Sequence, residues 1–166
     1  MASYTQLQKG KMHEAVQQTV TAALETISDP SNVEKRQLIY QSQPLTADLG
    51  AEDYPLIVLE DYNFTRDAEE ETLNGYNAWV DVSAEIHIET LDNGPKYKQW
   101  FDTLSDSVTS LFSSPASEGA RQTLGENKFG KPSIDRNTRA TGVTEDGQRI
   151  IRREIEVSFR AQINFG

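Results

Sequence analysis

The sequence predicts an α+β domain, a two-layer sandwich in which two helices pack on one face of a mainly antiparallel sheet. Two segments carry apolar residues at helical spacing, and two others alternate apolar and polar residues as half-buried strands do. Only turn signals and loops separate them, so the 166 residues read as one domain over 1–166.

The first helix is expected over 5–28. Met12, Val16, Val20, Ala23, Leu24 and Ile27 make its apolar stripe, and Gly10 weakens its first turns. Asp29-Pro30 ends it, because the residue before a proline is pushed out of the helical region. Arg36 to Gln41 fits a short strand, and the polar stretch to Asp53 an irregular connection. Residues 55–64 form a stronger strand, with Leu56 to Leu59 apolar on both faces, as in a strand covered on both sides. An acidic loop over 65–77 follows, with the turn signal Asn74-Gly75. Over 78–90, Val80, Val82, Ala84, Ile86 and Ile88 share one face, while Asp81, Ser83, Glu85, His87 and Glu89 share the other. That pattern predicts an antiparallel strand with one wet face.

Asp92-Asn93-Gly94-Pro95 stops this strand, and a proline suits the first turn of the helix expected over 96–113. Tyr97, Trp100, Phe101, Leu104, Val108, Leu111 and Phe112 fall on one side of it, the strongest amphipathic signal in the chain. Residues 113–133, rich in Ser, Gly and Pro, read as a long mobile loop. A C-terminal hairpin over 134–165 is expected to turn at Asp146-Gly147, a pair favoured in two-residue turns. Its returning strand puts Ile151, Ile155, Val157, Phe159, Ala161, Ile163 and Phe165 on one face, interrupted by Arg153. Sequential strands joined by turns are expected to pair antiparallel.

Composition narrows the function. There is no cysteine, which removes disulfides, thiolate metal sites and a cysteine nucleophile together. The longest apolar run, Leu56 to Leu59, is far short of a membrane span, and Met1 to Gly10 lacks the apolar stretch of a signal peptide, so a soluble chain with no membrane association is expected. A formal charge of −10 argues against nonspecific nucleic-acid binding, which needs Lys and Arg against phosphates. An acidic surface with little Lys suits molar salt, where screening over roughly 3 Å weakens self-repulsion.

No catalytic apparatus is recognisable. His13 and His87 have no neighbours at metal-ligand spacing and read as surface residues. No glycine loop leads into a helix, and no serine sits in a nucleophile elbow. Asp67, Glu69, Glu70 and Glu71 lack the alternating spacing and the glycine of a calcium loop, and read as a solvated acidic loop. The expectation is a structural protein with no enzyme activity, catalytic residue, metal or cofactor.

Charge asymmetry is what remains. Residues 43–94 carry 13 acids and one base, Arg66, whereas 119–166 carry six acids and nine bases. Copies of such a chain can join head to tail, closing a ring if the rotation allows it; alternatively the two segments neutralise each other inside one subunit. For interfaces, Asp67, Glu69, Glu70 and Glu71 are set against Arg136, Arg139, Arg149, Arg152 and Arg160.

The order of patterns also resembles a known family. An N-terminal helix leads to Tyr54-Pro55-Leu56-Ile57-Val58-Leu59, then an acidic loop, a strand ending Glu85-Ile86-His87-Ile88-Glu89, an aromatic-rich helix, and a closing β segment from Arg153 to Ile163. This resembles the tail-terminator (tail-completion) proteins of tailed viruses, and the acidic composition suggests a virus of a haloarchaeon. The resemblance implies a virion protein at the head–tail junction, assembled in the host cytoplasm. It implies a homo-oligomeric ring, usually of six subunits, that caps the tail tube, ends its polymerisation and meets the neck proteins. DNA would pass through without specific binding. The alternatives are another neck or connector subunit, a stopper or adaptor, or a non-viral acidic binding module.

Overall fold

The fold was obtained as a computed structural model, which describes residues 12–34, 36–45, 48–67, 77–113, 133–144 and 146–164. Its elements are α1 (Met12–Leu24), β1 (Ile39–Tyr40), β2 (Leu56–Asp67), β3 (Asn77–Leu91), α2 (Pro95–Ser113), β4 (Ser133–Val143) and β5 (Arg149–Asn164). The strands make one mixed sheet in the order β1-β2-β3-β5-β4, so the class is α+β. Of the loops expected over 65–77 and 113–133, residues 68–76 and 114–132 lie outside the described residues, whereas 65–67 and 77 belong to β2 and β3, 113 to α2 and 133 to β4.

Period-two alternation gives the sheet two chemically different faces. On one, Ile57, Leu59, Ala84, Ile86, Ile88, Ile151, Ile155 and Val157 pack in a single buried cluster with Val20, Ala23 and Leu24 of α1 and Phe101, Leu104, Val108, Leu111 and Phe112 of α2. Both helices thus bury their apolar stripes against the same side chains. Arg153, which interrupts the apolar pattern of β5, is accommodated here: its guanidinium lies 6.0 Å from the Phe101 ring centre and donates to Asn137 Oδ1 at 2.9 Å.

α1 ends sooner than Asp29-Pro30 predicts. Its last turn tightens, with Thr26 N–H donating to the Ala23 carbonyl and Ile27 N–H to that of Leu24. The Thr26 hydroxyl also donates to the Ala23 carbonyl at 2.7 Å. Threonine offers the backbone this local alternative to a further helical turn.

The antiparallel expectation fails at one place. β1 pairs parallel to β2, Ile39 with Ile57 and Tyr40 with Val58. Parallel neighbours need a crossover, because the chain must return to the starting end of the sheet. Residues 41–55 make that return, and Ala51–Asp53 within them form a 3₁₀ turn, with the Gly50 N–H donating to the Asp53 carboxylate at 2.7 Å. Leu49 and Tyr54 from this crossover cluster with Leu56, Val58 and Leu91 on the face away from the main core.

A single arginine anchors the crossover. Arg36 is almost fully buried; it donates to both oxygens of Asp29, from Nε at 2.7 Å and from Nη2 at 2.8 Å. It also donates to the carbonyls of Asp53 and Pro55, at 2.7 and 2.6 Å, on either side of the cis Tyr54–Pro55 bond. Burial on its own would raise the Asp29 carboxyl, but the hydrogen bonds from Arg36 and from the Ser31 N–H and hydroxyl outweigh it and leave the pKa lowered.

The C-terminal hairpin forms, with a longer turn than Asp146-Gly147 alone implies. β4 and β5 stay in register to Val143–Arg149, and the loop closes with Thr144 N–H donating to the Gln148 carbonyl. Gly147 has φ +83° and donates to the Thr144 carbonyl, the signature of a three-residue loop with glycine in the left-handed position. The Thr144 hydroxyl hydrogen-bonds Asp146 and accepts from the Gln148 N–H, which favours the wider turn.

Candidate functional site

β3 lies at the centre of the sheet, and its alternation puts Glu85, His87 and Glu89 on the face opposite the helices. Sequence reasoning expects that face to be wet. Instead His87 is 6% exposed and Glu89 2%. The crossover explains the difference: Gln43 donates to Glu89 Oε2 at 3.1 Å, and Tyr54, Leu56 and Val58 close over the neighbouring positions. His87, read from the sequence as a surface residue, is therefore buried, paired in register with Val58 on β2 and Glu154 on β5.

Buried carboxylates need partners. Glu89 has one in Arg152, its register neighbour on β5, whose Nε and Nη2 lie 2.8 and 2.6 Å from Glu89 Oε1. Arg152 Nη1 also approaches Glu154 Oε1 at 4.0 Å. Arg136 on β4 reaches across β5 to hydrogen-bond Glu85 and lies 3.7 Å from Glu154. These groups form a charge ladder, β3 to β5 to β4, that ties three strands together on the far face.

His87 sits within the ladder but outside its hydrogen bonds. Nε2 is 3.5 Å from Glu85 Oε1 and Nδ1 is 3.9 Å from Glu60 Oε2, and neither nitrogen is hydrogen-bonded. Glu60 falls where the β2–β3 register shifts, between Leu59 and Asp61, an irregularity of the kind that re-aims a side chain. Among the described residues no group of three or more His, Asp or Glu is arranged to hold a metal ion.

Two of the arginines set aside for interfaces, Arg136 and Arg152, thus meet acids of their own chain, Glu85 and Glu89 of the acidic segment. Arg139 and Arg149 are exposed, and neither makes an ion pair with another described residue. Arg139 sits opposite Arg153 in the β4–β5 register. Asp67 ends β2 and Arg160 lies in β5; their side chains, and Glu69, Glu70 and Glu71 altogether, lie outside the described residues. His13 belongs to α1, with its side chain likewise outside them.

Sequence reasoning missed Glu85, Glu89, Glu154 and His87 as a group. The available signal was the shared face: Glu85, His87 and Glu89 alternate on one strand, Arg152, Glu154 and Glu156 on another. That the two strands are neighbours was not readable. No family model matches this chain, and no curated protein matches it.

Proposed function

We propose that this chain is a structural virion subunit, a tail terminator that assembles as a ring at the head–tail junction, caps the tail tube and ends its growth. The observation that carries this reading is the order of elements behind the family resemblance. Tyr54-Pro55 leads into β2, Glu85 to Glu89 lies in β3, the aromatic-rich helix is α2, and Arg153 to Ile163 lies in β5. The partners are further copies of the chain, the tube protein and the neck proteins. The reading includes no catalytic role and no cofactor.

Added to polymerising tube protein, the chain should give short capped tubes by electron microscopy; tube lengths unchanged at equimolar chain would overturn the proposal. Immunogold labelling of particles should place it at the head–tail junction. Recovery of portal instead of tube protein in pull-downs would favour a stopper or adaptor.

A further inference from the structure

The strand order leaves two open edges. β4 pairs with β5 on one side and with no described strand on the other. β2 pairs with β3, but β1 covers only Ile57 and Val58 of its other side, leaving 59–67 without a described neighbour.

The phase of the backbone at both edges follows from three hydrogen bonds. Thr144 N–H donates to Gln148, Asp92 N–H to Arg149, and Ile57 N–H to Leu38. In antiparallel pairs, residues alternate between facing the partner and facing away. Arg136, Thr138 and Ala140 therefore turn their backbone groups to β5, while Asn137, Arg139 and Thr141 turn theirs to the open edge. On β2 the register shift at Glu60 passes the outward phase to Tyr62, Phe64 and Arg66. At every second position β4 thus offers four outward residues, Val143 included, and β2 three, spaced about 6.8 Å apart.

A row of unpaired N–H and C=O groups is a template for another strand, and charge decides which one. β4 carries Arg136 and Arg139 against Asp135, whereas 59–67 carries Glu60, Asp61 and Asp67 against Arg66. β4 against β4 opposes arginines, and β2 against β2 opposes acids. Only β4 against β2 sets an edge of net positive charge against one of net negative charge. We infer that copies of this chain join by strand addition, the outer edge of β4 on one copy pairing with the 59–67 edge of β2 on the next. Each copy gives one edge and accepts on the other, a heterologous contact that propagates until it closes. The inference deepens the ring proposal by naming its contact, and rests on that reading for closure.

Prolines test it. Thr141→Pro removes an N–H that faces outward, a position where an edge strand tolerates proline, so the β4–β5 bonds stay intact. Arg66→Pro does the same on the other edge. By sedimentation equilibrium the unaltered chain should be a multimer and each variant a monomer, with unchanged far-ultraviolet circular dichroism. An equimolar mixture of the two variants should give dimers and nothing larger, because each keeps one intact edge. Folded variants that retain the multimer's mass would overturn strand addition while leaving the ring reading standing. A chain monomeric at every concentration and salt would overturn both. Should Thr141→Pro fail to fold, Arg66→Pro and its mixture with the unaltered chain, expected to shorten the multimers, put the same question.

Discussion

The two faces of the sheet are closed by different physics. On the helix side, Phe101, Leu104, Val108 and Phe112 bury hydrocarbon against Ile86, Ile88 and Ile155, and none of these apolar side chains needs a particular partner. On the far side, Glu89 is held out of water beside His87 and depends on a named neighbour, Arg152, whose own side chain stays partly in solvent. The first face tolerates exchange among side chains of similar volume. The second does not tolerate the loss of one member, since a buried charge without its partner keeps its desolvation penalty.

Variants that break one face at a time sharpen this contrast. The largest loss is expected from Phe112→Ala, on α2 and fully buried against the sheet, at about 3–5 kcal/mol by urea unfolding. Arg152→Ala should follow at about 3 kcal/mol, because Glu89 is left buried and unpaired; Arg152→Met with Glu89→Leu should recover most of that loss, which a double-mutant cycle measures. Arg136→Ala, with a side chain 42% exposed, should cost no more than about 1 kcal/mol, less again in molar salt. Arg139→Ala, exposed and without a described ion pair, should fall within about 0.5 kcal/mol of zero in monomer stability.

Acid gives a separate measure of the crossover anchor. The Asp29 pKa is lower in the folded chain than in the unfolded one, so its stabilising contribution is complete above the unfolded carboxylate pKa, about 3.9. It is lost as pH falls from there through the folded value. Asp29→Asn should therefore lower stability at neutral pH and flatten its decline in acid, as read from urea midpoints along a pH series.

What the sequence disclosed follows from which signals are local. The stripe from Tyr97 to Phe112 and the alternation from Val80 to Ile88 each encode their own geometry, and α2 and β3 lie where those patterns put them. The pairing of β1 with β2 has no such signature. Two residues, Ile39 and Tyr40, set a parallel neighbour, and that sends 41–55 over a face whose residues read as solvent-exposed. The burial of His87 and Glu89 is thus a property of chain routing, invisible in the alternation of β3. For the same reason the acidic loop attracted attention while Glu85 and Glu89, interleaved with isoleucines, did not. The length of the hairpin turn was set by the Thr144 hydroxyl, a side-chain contact that the Asp146-Gly147 pair does not record.

The central position of β3 also sets the order in which this chain can fold. Its pairing with β5 joins residues as far apart as Asn77 and Asn164, and Leu91 meets Ile150 across α2 and all of β4. Closing such long segments costs chain entropy before any contact repays it, so the contact order is high and folding belongs in the slow millisecond-to-second range. On the ribosome, β2 and β3 emerge as a hairpin whose charged face has no Arg136 or Arg152 to meet it. Until the last strand arrives, Glu89 can have the Gln43 amide but no arginine, so burying that face costs more before β5 pairs than after.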